Sequence, residues 1–154
     1  CFPRGAAGTQ LDAVARVAMW RDGMNFMHGT GHGVGSYLSV HEGPHQIRQE
    51  YRGAPMVEGM TVTDEPGLYL AGKFGVRIEN TLLTVPYLTT EFGRFLRFEP
   101  LTLCPIDTRP IVVDMLSAEE LAVLNAYHQM VYERLSPMLD AEHRAWLAAK
   151  TRNL

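Results

Sequence analysis

The chain has 154 residues, 46% hydrophobic and 20% charged, with a formal net charge of -3 and a pI of about 6.1. That supplies apolar material for one real core and gives no basic footprint for nucleic acid. There is no run of eighteen apolar residues and no signal-like N-terminus, so neither a membrane span nor secretion is visible, and two cysteines argue against a disulfide scaffold.

The first expected element is a helix capped by Thr9, with Leu11, Val14, Ala15 and Ala18 as its apolar stripe and an end near Gly23. The segment His28-Gly-Thr-Gly-His32-Gly-Val-Gly follows. Its two histidines are four apart, but four glycines make a helix there unfavourable, so a loop or irregular strand is expected. Glycine density of this kind lets backbone come close to a ligand. Tyr37 to Val40 read as a strand leading to His41, which opens the run His41-Glu42-Gly-Pro44.

If Met60 to Leu70 and Phe74 to Val85 pair antiparallel around Ala71-Gly72-Lys73, the register places Glu65 opposite Glu79. Such partners lie about 4.5–5.5 Å apart on one face, and like charges there are destabilising unless compensated. A divalent cation is the simplest compensation. Arg77 projects to the same face as Glu79, because side chains alternate along a strand. Taken singly, each histidine reads best as a hydrogen-bonded or solvated imidazole and each glutamate as an exposed one. His28, His32 and His41 together with Glu65 and Glu79 read as a metal site.

After Pro110 the character changes. Ser117-Ala-Glu-Glu120 is a capping box that opens a helix with Leu121, Leu124, His128, Val131 and Leu135 on one side, ending at Pro137. His128 reads as a satisfied interface histidine and His143 as solvent-facing. Asp140 is the expected cap of a last helix, Ala141 to Ala149, with Trp146 and Leu147 as anchors. Cys1 and Cys104 lack metal-ligand spacing.

These motifs, with Phe2-Pro3-Arg4-Gly5 and Gln10-Leu11-Asp12 before them and Phe95-Leu96-Arg97-Phe98-Glu99 and Leu103-Cys104-Pro105-Ile106-Asp107 after, resemble the C-terminal part of an Xaa-Pro aminopeptidase (aminopeptidase P) of the pita-bread metallopeptidase class. The nine-residue step from His32 to His41 is similar to that of the larger, three-domain aminopeptidases P. The resemblance implies an α+β fold, the C-terminal half of a pita-bread domain, with a curved, mostly antiparallel sheet and packing helices. It implies residues 1–103 as the catalytic half-domain and 104–154 as a helical extension packed on it.

It also implies a chemistry. Two divalent metal ions, manganese in the family, with zinc and cobalt as alternatives, share a water or hydroxide that attacks the peptide bond before proline. Of the five metal ligands His32, Glu65 and Glu79 have counterparts here, whereas the two aspartates do not, because Asp12 and Asp22 fall after the expected positions. Glu65 would also take the nucleophile's proton and His41 would stabilise the tetrahedral intermediate. His28 would line the substrate pocket, and Arg77 would brace the carboxylates. The expected partners are a peptide with proline in second position, the missing N-terminal half of the same protein and, in the parent, a second copy. Neither nucleic acid nor membrane is expected, and a cytoplasmic location is. A fragment with three of five ligands is expected to be inactive by itself. The alternatives are a prolidase acting on dipeptides and a metal-free pita-bread module that binds peptides or proteins.

Overall fold

A computed structural model describes all residues, 1–154. The chain divides into two compact units, Cys1–Thr102 and Leu103–Leu154. No helix is long and apolar enough to cross a membrane.

The first unit is built on a four-stranded antiparallel sheet. Its strands β1 (Phe2–Pro3), β4 (Thr61–Asp64), β7 (Asn80–Thr90) and β8 (Gly93–Pro100) run in the order β1-β8-β7-β4. Two short pairs flank it: β2 (Gly31–His32) with β3 (Gln46–Ile47), and β5 (Gly67–Leu70) with β6 (Phe74–Arg77). Phe2, Ala6, Ile47, Met56, Val62, Leu82 and Leu96 form the buried core, and Leu11 and Phe98 pack against it.

The expected hairpin register holds on both sides of Glu65. Thr61 pairs Leu83 and Asp64 pairs Asn80, and then Gly67 pairs Arg77 and Leu70 pairs Phe74. The turn closes at Gly72, whose φ of 72° suits a residue without Cβ, and Lys73 N–H donates to Leu70 O. The strands are not continuous, however. The ladder opens at Glu65-Pro66 and Ile78-Glu79, because Pro66 has no N–H and the Glu65 amide donates instead to Thr30 O at 2.7 Å. The gap in the hairpin is where the histidine segment enters.

Helix α1 (Gly8–Arg21) starts one residue before Thr9, and Ala7 occupies the cap position. Gln10 does the capping work, since its Oε1 accepts from Ala7 N at 2.8 Å. The stripe is also corrected. Val14 is 73% exposed and Ala18 is exposed, whereas the inward line is Gly8, Asp12 and Arg16, with Leu11 and Ala15 half-buried beside it. An ion pair at (i, i+4) turns that polar line inward: Arg16 Nε meets Asp12 Oδ2 at 2.7 Å, both side chains buried.

Tyr37 to Val40 do not form a strand. The Glu42 carboxylate accepts the amides of Tyr37 and Ser39, so those N–H groups are satisfied locally, and Leu38 sits at φ 61°.

The second unit contains α2 (Ala118–Leu135) and α3 (Ala141–Lys150). Ser117 Oγ accepts from Glu120 N while Glu120 Oε2 accepts from Ser117 N, which is the reciprocal cap. Tyr127, Val131 and Leu147 are buried, and Leu103, Ile106 and Leu135 pack on them. Of the two expected anchors of α3 only Leu147 is buried, because Trp146 lies on the neighbouring face and is 56% exposed. His128 is fully buried and its Nε2 accepts from Ile106 N at 3.1 Å. His143 is exposed and contacts Asp140, the cap of α3.

Candidate metal centre

Ligand atoms of His32, Glu65 and Glu79 all lie within 4.8 Å of one another. Each comes from a different place in the fold: His32 ends β2, Glu65 follows β4, and Glu79 precedes β7. The two glutamates meet because the hairpin register carries across the open rung, and His32 joins them because β2 bridges β3 to the main sheet through Gly33 and Val62. Gly31 is required for that approach: a Cβ there would lie 1.8 Å from Thr63 O.

The hydrogen bonds define which nitrogen is free. His32 Nδ1 lies 2.9 Å from Gly33 O, a carbonyl that can only accept, so Nδ1 carries the proton. Nε2 then offers its lone pair, and it faces Glu65 Oε1 at 3.2 Å. Two acceptors so close need a proton or a cation between them. An imidazole fixed by a carbonyl and facing one carboxylate that is 13% exposed, with a second, solvent-open carboxylate within 4.8 Å, is a donor set that fits a divalent ion.

The remaining expected residues lie around this cluster. His41 packs edge-on against the His32 ring, centroids 4.3 Å apart. His28 Nδ1 donates to Gly29 O, which leaves Nε2 to accept from Tyr69 OH at 3.0 Å and Arg77 Nη2 at 3.2 Å. Arg77 Nη1 is 3.8 Å from Glu65 Oε2, so the guanidinium ties the histidine to the carboxylate. A cavity of about 470 Å³ is lined by His28, His32, His41, Arg48, Glu65 and Arg77 among others. Asp12 and Asp22 do not join the cluster: Asp12 is held by Arg16 and Thr30, and Asp22 ends α1.

Sequence reasoning missed three contributors. Tyr69 lies four residues beyond Glu65, and its phenol completes the His28 contacts. Thr63 lies two residues before Glu65, accepts from the His32 backbone N–H and donates to the Glu65 carboxylate. Arg16, which donates to Phe26 O and His28 O, ties down the segment before the site. The (i, i+4) acid-base spacing of Asp12 and Arg16 was the available signal for the last.

Known proteins match this chain over nearly its whole length. Residues 1–86 match the model of metallopeptidase family M24, and residues 94–154 match the C-terminal region of that peptidase family. Aminopeptidase P1 of Lotus japonicus is 44% identical over 97% of this chain, which spans 23% of that protein. Among solved structures, X-prolyl aminopeptidase from Caenorhabditis elegans, described as a cytosolic enzyme with a di-nuclear active site, superposes with a TM-score of 0.90 at 40% identity. That match covers 99% of this chain and 26% of the nematode chain. Prolidase from Pyrococcus furiosus superposes with a TM-score of 0.51 at 34% identity, covering 64% of this chain and 26% of its own. The chain thus spans about a quarter of the length of the relatives it matches. Its fold is the C-terminal half of a pita-bread domain, and the chain belongs to metallopeptidase family M24.

Proposed function

We propose that this chain is the C-terminal part of a dinuclear metallopeptidase that removes an N-terminal residue preceding proline. The observation that carries the reading is the convergence of His32, Glu65 and Glu79 within 4.8 Å. These three would hold the ions, with the remaining ligands supplied by the rest of the longer protein. The chain alone is expected to bind metal weakly and not to turn over. The donor set is rich in oxygen, which favours Mn2+ over ions that prefer thiolates. When bound, the metal pair supplies Lewis acidity toward the scissile carbonyl and lowers the pKa of water.

The chain's own residues have the following roles in this reading. Glu65 uses Oε1 beside His32, which leaves Oε2, braced by Arg77, to accept a proton from the attacking water. Arg77 keeps that carboxylate oriented and satisfies His28. His28 lines the pocket for the residues flanking the scissile bond. His41, beside the His32 ring, donates to the developing oxyanion.

Prolidase activity on dipeptides is the nearest competitor. The match to the nematode aminopeptidase extends over 99% of the chain, second unit included, whereas the prolidase match covers 64%. That difference favours the aminopeptidase. A metal-free binding module is disfavoured physically, since opposed carboxylates cost stability without a cation between them. A cytoplasmic setting is supported by the description of the nematode enzyme as cytosolic.

The test is Mn2+ titration by calorimetry of the full-length protein carrying these residues, beside its Glu79→Ala variant, with cleavage of a peptide bearing proline in second position. The variant should bind less metal and lose cleavage. Equal binding by both, or undiminished cleavage in excess chelator, would refute the assignment.

A further inference from the structure

Thr63 is buried, 3% exposed, at the penultimate position of β4, and its hydroxyl has two partners. His32 N–H donates to Thr63 Oγ1 at 3.0 Å, and Thr63 Oγ1 donates to Glu65 Oε1 at 2.9 Å. One hydroxyl therefore joins the backbone of the histidine ligand to the carboxylate that faces that histidine's Nε2 at 3.2 Å. A hydroxyl has one proton, and here it is directed to Oε1. The assignment of Glu65's two oxygens is thereby set: Oε1 is held on the His32 side, and Oε2 is left on the Arg77 side, 3.8 Å from Nη1.

We propose that Thr63 is a positioning residue that presets Glu65 for metal binding, so that the carboxylate holds its liganding orientation before the ion arrives. The proposal rests on the metal-centre reading above and deepens it. The geometry has no other donor for this task on the Oε1 side, since His32 Nε2 carries a lone pair and Arg77 reaches only Oε2. It also explains the close packing of β2 on β4: Gly31, with no Cβ, brings the His32 amide within reach of the Thr63 hydroxyl. Preorganisation of this kind reduces the ordering entropy lost on binding, and replacing partners of metal ligands usually lowers metal affinity by about 10- to 100-fold.

The experiment compares Thr63→Val with Thr63→Ser in the full-length protein. Valine keeps the shape and removes the hydroxyl, whereas serine keeps the hydroxyl and removes the methyl. Mn2+ affinity is read by calorimetry, the environment of the bound ion by electron paramagnetic resonance, and melting temperature in excess chelator controls for folding. Thr63→Val should bind Mn2+ about 10- to 100-fold more weakly with an altered resonance spectrum, and Thr63→Ser should retain both. Unchanged affinity in Thr63→Val would overturn the proposal. So would equal weakening in Thr63→Ser, because the methyl group rather than the hydroxyl would then be responsible. A Glu79→Ala variant run alongside separates the two levels. If it binds like the wild type, the ligand assignment itself fails, whereas a loss confined to Glu79→Ala removes only the role of Thr63.

Discussion

Replacing Arg16 by methionine should do more damage than any single change of an exposed charge. The guanidinium is 0% exposed and makes five hydrogen bonds: two to Asp12, one to Asn25 Oδ1, and one each to the carbonyls of Phe26 and His28. It also stacks on the Phe26 ring, 3.8 Å from the centroid. Methionine preserves much of the apolar stem but leaves the Asp12 carboxylate buried without its counter-charge. Breaking a buried pair by removing one partner costs about 3–5 kcal/mol. Two carbonyls without donors would each add about 1–3 kcal/mol if they stayed dry, though relaxation recovers part of this. A net loss of about 4–6 kcal/mol is therefore expected, comparable with the whole stability of many domains. Arg16→Lys keeps the charge but not the planar fork, and should lose roughly half as much. Urea denaturation gives the stability, and hydrogen exchange at the Thr30 amide, which donates to Asp12 Oδ1, reports on the loop itself. A loss below about 1 kcal/mol in Arg16→Met, with unchanged protection at Thr30, would refute the idea that this pair anchors the histidine segment.

Two further outcomes follow from the geometry. Tyr69→Phe removes the hydroxyl that donates to His28 Nε2 and nothing else. Under the proposed peptidase function, a lost hydrogen bond of about 1 kcal/mol corresponds to a roughly fivefold fall in kcat/KM for a proline-containing peptide in the full-length protein, and unaltered kinetics would refute a role for Tyr69 in orienting His28. In the second unit, burial pushes the His128 imidazole below its ordinary value of 6.5, so the folded state favours the neutral ring that accepts from Ile106 N–H. Between the lowered folded value and about 6.5 the unfolded chain binds more protons, so stability falls as pH drops through that window and the contribution is complete above it. Thermal unfolding followed from about pH 8 to about pH 5 should show this acid sensitivity diminished in His128→Leu; identical slopes in variant and wild type would contradict it.

Much of this molecule is local and therefore legible in one dimension. The reciprocal cap of Ser117 and Glu120 involves residues three apart, and the hairpin register depends on a turn at Gly72 and a side-chain period of two. Both are near-neighbour effects, and the hairpin register by itself sets Glu65 opposite Glu79. What tertiary structure decided is how that hairpin is used. Its ladder opens at Glu65 because the amide there is taken by Thr30, thirty-five residues earlier, and no local pattern records such a partner. The polar inward face of α1 has the same origin. Periodicity favoured Val14 and Ala18, but the carbonyls of Phe26 and His28 needed a buried donor, so Arg16 and its aspartate turned inward. The loop at Tyr37 to Val40 resisted prediction for a related reason: its β-forming residues lost their amides to the Glu42 carboxylate. The sequence by itself determined which side chains could bind a metal. The long-range hydrogen bonds of Thr30, Thr63 and Arg16 determined that three of them meet, because backbone and side-chain donors must be satisfied wherever the chain is buried, whatever their separation along it.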